Sequence, residues 1–312
     1  MADPGPPRDF IGYGNRVVEG RWPNGARLAV SFVLNFEEGA ERNVSDGDTV
    51  GEATGEMHYP FGGKGRDLST ESTYEYGSRV GIWRLLNIFD EYHVKMTAFV
   101  CGLALLRNPE VGAALRAAGH EPCGHGHRWV EAWRLTANEE RRDLRQAIDA
   151  IGTTCGERPV GWYNRYAPSE RTRELLVEEG GFLYDSNAYN DDAPYFVQTS
   201  RGKHLVLPYT HTYNDGRFLA SPTYASPSDF VDNCARGIRQ LWAEGDRTPR
   251  MISIGLHSRI VGQAGRATAL REIIECALGL EDVWIARRVD IAKAWLDLSG
   301  ERNPLDGITT RR

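Results

Sequence analysis

Apolar runs alternate with amphipathic segments along most of this 312-residue chain. Residues 27–36, 95–101 and 250–256 are nearly unbroken apolar runs, typical of strands buried on both faces of a parallel sheet. Shorter runs lie at residues 159–162, 182–184, 204–207 and 283–285, and helical periodicity covers residues 78–92, 109–118, 138–153, 169–179, 228–244, 264–277 and 288–298. This alternation predicts an α/β fold with about seven parallel strands. Because no linker or repeat interrupts it, one barrel over residues 1–312 is favoured over two domains.

One long segment, residues 39–73, breaks the alternation, because it is rich in glycine and acidic residues and has little periodicity. Loops longer than about 15 residues are uncommon inside compact domains and usually have a function. The segment leaves the first predicted strand at its carboxyl end, the side on which α/β barrels carry active sites. We therefore expect it to cover the substrate or to contact another subunit.

Composition narrows the class of protein. The chain has 37 basic and 43 acidic residues, a formal net charge of −6 and no stretch rich in lysine or arginine, so nucleic acid is not an expected partner. No apolar run approaches the ~20 residues that span a bilayer, and no secretory signal is visible. The five cysteines are widely spaced and odd in number, as expected of reduced core residues. We expect a cytoplasmic protein with a small-molecule substrate and no membrane contact.

Polar side chains at the carboxyl ends of predicted strands form a candidate active site. They are Glu37, Glu38, His125, His127, Arg165, Asp185 and His257. Carboxylates, imidazoles and a guanidinium at one end of a barrel suit hydrolysis: a carboxylate activates water, a positive group holds the oxyanion and a histidine protonates the leaving group. His125 and His127 alternate, so we do not expect both to face one point. The candidates for a pocket lining are Tyr166 and, with a place in the core as an equal alternative, Trp129, Trp162 and Tyr163.

Taken together, these residues resemble the motif series of the polysaccharide deacetylase family. The matching motifs are Asn35-Phe-Glu-Glu38, Gly119-His-Glu121 with His125, Arg165 with Pro168, Phe182-Leu-Tyr-Asp185 and Gly255-Leu-His257. The chain is also similar to the bacterial allantoinase branch of that superfamily at residues 8–14, 31–39, 75–79, 159–163, 178–186 and 254–257. The resemblance spans roughly residues 8–298. It implies a deformed (β/α) barrel, hydrolysis of carbon–nitrogen bonds and a homo-oligomer, a tetramer by analogy with the branch.

The resemblance also assigns roles to individual residues. Glu37 matches a catalytic base and Glu38 a metal ligand, in a family that hydrolyses acetyl groups with a bound divalent metal. His125 matches the first of two metal-ligating histidines, but the second position is Trp129, and an indole cannot ligate a metal. A catalytic zinc needs about three protein ligands, so Glu38 and His125 would suffice only if His127 turned inward. The resemblance to the metal-independent allantoinases implies no cofactor, and zinc or another divalent metal is the alternative.

The leading hypothesis is hydrolysis of a cyclic amide, with ring opening of allantoin to allantoate considered first. The leaving nitrogen of such a ring is ureido-like, so the carbonyl needs less help from a Lewis acid. Either Glu37 or Glu38 would activate water, and the like charge nearby would raise the pKa of the other carboxylate. By resemblance, His257 matches the general acid and Arg165 an arginine that orients the base. His257 and His125 would polarise the carbonyl or protonate the leaving nitrogen, and Arg165 could also anchor a carbonyl.

Other substrates and functions stay open at this point. Tyr166 and His127 differ from the residues expected in allantoinases, and both would line the pocket, so another cyclic imide or a linear amide is an alternative substrate. A metal-dependent N-deacetylase of an acetylated sugar is disfavoured by Trp129 and by the lack of a visible secretion signal. A binding barrel without activity is disfavoured because burying so many polar groups is costly unless they are used.

Overall fold

The computed structural model describes residues 5–53, 61, 65–220 and 223–306. Its strands are β1 (Leu28–Phe36), β2 (Thr97–Val100), β3 (Glu121–Gly124), β4 (Gly161–Trp162), β5 (Tyr184–Asp185), β6 (Tyr195–Thr199), β7 (Gly202–Val206), β8 (Arg250–His257) and β9 (Val283–Ile285). Its α-helices are α1 (Leu68–Tyr76), α2 (Ile82–Glu91), α3 (Gly102–Arg107), α4 (Pro109–Ala118), α5 (Ala137–Cys155), α6 (Thr172–Glu179), α7 (Pro227–Glu244), α8 (Ala267–Leu278) and α9 (Arg288–Ser299). A π-helical turn, Gly77–Gly81, joins α1 to α2.

The strands form one curved sheet in the order β6-β7-β5-β4-β3-β2-β1-β8, with β9 beside the start of β1. Each pairing in this sheet is parallel except that of β6 with β7. After β7 the chain runs beside β8 without forming a regular strand, and the Gly255 N–H donates to the Tyr213 carbonyl at 2.8 Å. This α/β architecture confirms the predicted deformed barrel of mainly parallel strands.

Strand β1 lies at the centre, and all nine of its residues are buried. Successive side chains of a strand point to opposite faces. Phe32 and Leu34 pack among residues of α2, α7 and α8, whereas Ala29 and Val33 belong to the cluster that fills the barrel. The odd-numbered positions therefore face the interior, and the same alternation carries Glu37 toward the barrel axis at the end of the strand.

Several predicted boundaries are wrong. The helix expected at residues 78–92 is interrupted by the π-helical turn, and α1 begins at Leu68, inside the expected loop 39–73. Asp67 starts α1 by accepting hydrogen bonds from the N–H groups of Ser69 and Thr70. Part of that loop, residues 54–60 and 62–64, lies outside the described residues.

The structure also bears on the cysteines and on membrane-spanning helices. The five cysteines are free, as their spacing predicted. Within the described ranges, no helix is both long and apolar enough to span a bilayer.

Candidate active site

Glu37 directly follows β1 and contacts three basic side chains. Its Oε2 accepts a hydrogen bond from Arg259 Nη1 at 2.6 Å, and its Oε1 lies 3.2 Å from His125 Nε2 and 3.5 Å from His257 Nε2. Burial by itself would raise the pKa of Glu37, but Arg259 and His257 outweigh burial and lower that pKa well below its ordinary value. Glu37 is therefore ionised across the physiological pH range although it is almost fully buried.

His257 ends β8 and is held by Asp215, which the sequence analysis missed. The distance from His257 Nδ1 to Asp215 Oδ1 is 2.6 Å, and Asp215 Oδ2 accepts the N–H groups of His257 and Val261. Burial opposes protonation of His257, but the charges of Asp215 and Glu37 outweigh it and raise the pKa of His257 to about 9. His257 is thus an imidazolium at neutral pH, with Nε2–H facing Glu37, and is placed to act as a general acid.

His125 follows β3, and its ring is fixed by Tyr163. The Tyr163 carbonyl oxygen lies 3.0 Å from His125 Nδ1, and a carbonyl oxygen only accepts, so Nδ1 is the donor. The His125 ring also stacks on the Tyr163 ring, with centroids 5.1 Å apart. This arrangement directs Nε2 at Glu37, and it places Tyr163 inside the barrel close to the site.

Glu38 faces away from the barrel axis and contacts backbone. Its Oε2 accepts the N–H of Glu37 and its Oε1 the N–H of Arg259, each at 3.0 Å. Gly77 of the π-helical turn lies so close that a Cβ there would be 2.6 Å from Glu38 Oε1. Glu38 therefore positions the backbone on both sides of the site. This geometry favours Glu37, the carboxylate beside both imidazoles, as the base.

Arg259 is the arginine that contacts the base, a role expected of Arg165. Arg165 Nη1 instead donates to Glu52 Oε2 at 2.6 Å and to the Trp129 carbonyl at 2.7 Å, and its guanidinium stacks on the Trp129 ring at 3.6 Å. The physical reason is that Glu52, in the loop after β1, supplies a closer carboxylate. Arg259 lies in the turn after β8, and its contact with Glu37 joins positions 222 residues apart, so no local pattern in the sequence indicates it.

Three predicted site residues have partners elsewhere. Trp162 packs in the core between α5 and α6. The Asp185 carboxylate binds Arg173 at 2.7 Å and His204 at 3.0 Å. His127 lies against α3 and α5, where a Cβ on Gly102 would be 2.9 Å from His127 Nδ1. These three side chains thus have partners outside the group formed by Glu37, His125 and His257, and that they line the substrate pocket stays a prediction.

The described start of the long loop, residues 39–53, contacts the segments that carry the site. Trp129 donates its N–H to the Ala40 carbonyl at 2.9 Å, and Asp48 pairs with Arg128 at 2.5 Å. The Glu52–Arg165 pair is a third connection. Trp129 itself is buried beside the half-exposed Tyr166, with ring centroids 5.9 Å apart. Arg165 thus contacts both rings, the buried one of Trp129 and the half-exposed one of Tyr166.

Comparison with known proteins identifies the family. Residues 63–182 match the family model described as polysaccharide deacetylase. A Schizosaccharomyces pombe protein named as a polysaccharide deacetylase is 35% identical over 311 residues, which cover 92% of this chain and 96% of that protein. The chain belongs to the polysaccharide deacetylase family.

Solved structures of family members extend this comparison. A protein of Pseudomonas aeruginosa PAO1 named as a polysaccharide deacetylase is 43% identical, with a TM-score of 0.87 over 93% of this chain and 98% of that one. The PuuE allantoinase has the same identity, TM-score and coverage of this chain, and 97% of its own length is covered. As a polysaccharide deacetylase family member, the chain is a hydrolase.

The residues of this family member do not fit the family's metal ion. Within residues 5–53, 61, 65–220 and 223–306, no three or more His, Cys, Asp or Glu side chains are grouped to hold a metal. Glu38 uses both carboxylate oxygens on backbone N–H groups, and His125 Nε2 lies 3.2 Å from Glu37 Oε1. Trp129, at the position of the second metal-ligating histidine, has no ligating atom. A complete donor set is therefore missing.

Proposed function

We propose that this chain hydrolyses a carbon–nitrogen bond of a cyclic amide, with allantoin as the substrate and allantoate as the product. The observation that carries the proposal is the 3.5 Å approach of Glu37 Oε1 to His257 Nε2. An ionised carboxylate beside a protonated imidazole supplies a base for water and an acid for the leaving nitrogen. The similarity to the PuuE allantoinase supports the choice of allantoin.

The reaction follows from these two groups. Glu37 takes a proton from water while the water oxygen bonds to the ring carbonyl carbon. The tetrahedral intermediate then expels the ring nitrogen, which takes the Nε2 proton of His257, and the carbonyl carbon becomes a carboxylic acid. Glu37 finally returns its proton to His257 across the 3.5 Å contact. The net change is the addition of one water, and both residues are restored.

The electrostatics of the site favour a weakly basic leaving group. The low pKa of Glu37 keeps the carboxylate ionised but also makes it a weak base. Attack by water is then helped most when the carbonyl is activated and the nitrogen leaves easily. A ring nitrogen that leaves as a urea meets this condition, whereas an acetylated amino sugar expels a more basic amine. The chemistry of the site therefore supports a cyclic ureide.

Burial supports a small substrate. The Glu37 side chain is 2% exposed and the His257 side chain 12% exposed, and residues 39–53 contact the neighbouring segments. A polymer chain needs an open groove to bring an internal sugar to such groups. A small ring needs only a local opening, and this favours a small-molecule partner over a polysaccharide.

The test is a substrate panel assayed with the purified chain. Allantoin, hydantoin, dihydrouracil and N-acetylglucosamine oligomers are incubated with the wild type and with Glu37→Gln. We expect allantoate formation by the wild type and none above background by the variant, which keeps the size of the side chain but not its charge. Release of acetate from the oligomers without turnover of any cyclic amide would contradict the proposal.

A further inference from the structure

Arg259 lies between the two carboxylates of the site. Its Nη1 is 2.6 Å from Glu37 Oε2 and 3.6 Å from Glu38 Oε1, and its own N–H donates to Glu38 Oε1. Two buried carboxylates on consecutive residues repel each other and need a nearby positive charge. Arg259 is itself buried, so its charge is little screened by solvent. The guanidinium therefore supplies the charge that a metal ion would bring to such a pair.

Aromatic rings enclose the same guanidinium. The Arg259 Cζ lies 4.7 Å from the Tyr74 ring and 5.0 Å from the Trp129 ring. Rings at this range stabilise a cation through their negative faces, and Trp fits this role better than Tyr. Trp129, which cannot hold a metal, thus belongs to the surroundings of Arg259. The Arg259 guanidinium thus lies close to both the Trp129 ring and the Glu38 carboxylate.

Two buried N–H donors at the Arg259–Trp129 contact lack a hydrogen-bond partner in the described part of the chain. Each oxygen of Glu37 and Glu38 has a nitrogen partner. In contrast, Arg259 Nε and Trp129 Nε1 are buried with no hydrogen-bond partner among the described residues. A vacant cation site leaves acceptor oxygens unpaired, whereas this site leaves N–H groups unpaired. A ligand that reaches these N–H groups would satisfy them with an acceptor oxygen, as the carbonyl groups of a ureide can.

We propose that Arg259 is the resident cation of this active site, takes the place of the divalent metal of other family members and holds Glu37 in its working position. Hydrolysis by this chain then requires no metal. Only the identity of the ligand with the acceptor oxygen rests on the proposed function, because the place of Arg259 follows from its own contacts. Arg259 acts through Glu37 and is a positioning residue.

The first test measures metal binding, independently of activity. The wild type is dialysed against chelator and titrated with zinc by calorimetry, beside the double variant Arg259→Ala, Trp129→His. We expect no stoichiometric zinc binding by the wild type. The double variant removes the guanidinium beside Glu38 and adds an imidazole at position 129, next to the space that Arg259 leaves, so we expect one zinc per chain. Stoichiometric, tight zinc binding by the wild type would overturn the proposal.

The second test is chemical rescue. Arg259→Ala is expected to lower kcat by about 10²–10³-fold with a smaller change in KM, because the charge that orders the base is lost. Millimolar guanidinium ion should restore at least part of kcat, whereas the same concentration of sodium chloride should not. Arg236→Ala removes an exposed arginine of α7 and serves as the matched control, with unchanged kcat and no response to guanidinium.

The results separate this proposal from the proposed function. If the wild type hydrolyses no cyclic amide, the substrate assignment fails, yet zinc titration of the wild type still decides the role of Arg259. If allantoin is hydrolysed only after zinc is added, the proposal for Arg259 fails and the substrate assignment stands. If Arg259→Ala does not fold, Arg259→Lys tests the charge: the proposal requires it to retain more kcat than Arg259→Gln.

Discussion

Two buried arginines of this barrel have opposite surroundings. Arg288, at the start of α9, donates to uncharged oxygens: the hydroxyl groups of Ser186 and Ser253 and the carbonyls of Leu207 and Pro208. Burial lowers its pKa. Arg259 instead contacts the carboxylates of Glu37 and Glu38, and its Nε has no partner among the described residues. Arg288 therefore has neutral hydrogen-bond acceptors, whereas Arg259 is paired with two carboxylates and its Nε–H has no acceptor in the part of the chain that the structure describes.

The glutamates beside these arginines differ in the same way. Glu121, near Arg288, accepts from the hydroxyl groups of Thr97 and Tyr184 and from the Val289 N–H, and burial raises its pKa. Glu37 is also buried, but its pKa is lowered by Arg259 and His257. The comparison teaches that burial alone does not mark a functional group. A buried charge that keeps its ionised form and faces a second titratable group is the better sign.

The largest effect is expected for the general acid. His257→Gln removes the proton donor to the leaving nitrogen, so kcat should fall by about 10²–10⁴-fold. The free energy of unfolding should fall as well, because the buried Asp215 carboxylate loses its charged partner, so kcat is compared in the folded fraction. Steady-state kinetics and urea unfolding check both. His93→Asn, at an exposed position with a φ of 53°, is the control and should keep full activity. A fully active His257→Gln enzyme would remove His257 from the reaction.

For Arg288 we expect a loss of stability without a loss of kcat. Arg288→Met leaves two hydroxyl groups and two carbonyl oxygens without their donor, so the free energy of unfolding should fall by about 3 kcal/mol or more. In the fraction that stays folded, kcat should change little. Urea unfolding and active-site titration measure the two quantities. A large loss of kcat without a loss of stability would show that Arg288, like Arg259, acts in the reaction and would contradict the comparison.

The dependence of kcat/KM on pH in the alkaline range tests the pair formed by Asp215 and His257. The imidazole must be protonated to act as an acid, so kcat/KM should stay level up to about pH 8 and fall as pH passes about 9. Asp215→Asn removes the largest charge that raises the pKa of His257, so the fall should begin at least one unit lower. If ionisation of the substrate caused the fall of kcat/KM at high pH, the fall would occur at the same pH in both enzymes. An unchanged pH of the fall in Asp215→Asn would therefore contradict the role of His257 as the acid.

The same shift has a consequence for stability. Because the folded pKa of His257 lies above its ordinary value of 6.5, its contribution to stability is complete below about pH 6.5 and is lost as pH rises through about 9. Urea unfolding of the wild type and of His257→Gln at several pH values should show this difference.

The smallest effect concerns the packing behind Glu38. Gly77→Ala places a methyl group 2.6 Å from Glu38 Oε1. The free energy of unfolding should therefore fall by about 1 kcal/mol, and kcat should fall as well because Glu38 is displaced. Gly152→Ala is the matched control in α5, where an added Cβ meets nothing within 4 Å, and should be neutral or slightly stabilising. Equal thermal unfolding and kcat for both variants would show that Glu38 is not tightly held.

Part of this fold was predictable because burial leaves a pattern in the sequence. The apolar run that forms β1 ends in two charged residues, and its alternation places Glu37 inside the barrel. Strand β3 was not predicted, because Glu-Pro-Cys-Gly has no apolar run and forms a strand only between β2 and β4. The antiparallel β6 was missed because its residues are only partly buried.

The site was predictable only where motifs mark it. Glu37 and His257 were found because each ends a predicted strand at the same side of the sheet, and His125 because it follows the Gly119-His-Glu121 motif. The partners Arg259 and Asp215 were missed, because their contacts join positions 222 and 42 residues apart in the chain. No local pattern shows which carboxylate contacts which cation. For this reason Arg165 was predicted to contact the catalytic base, whereas Arg259 does so in the structure.

The central claim is that Glu37, activated beside His257 and held by Arg259, hydrolyses a cyclic amide without a metal. The most direct measurement is the rate of allantoate formation by chelator-treated wild type, beside identically treated Glu37→Gln. The account predicts that the wild type keeps its full rate after chelation and that the variant loses about 10³-fold or more of it. A wild type that is inactive until zinc is added, or a variant as fast as the wild type, would contradict the account.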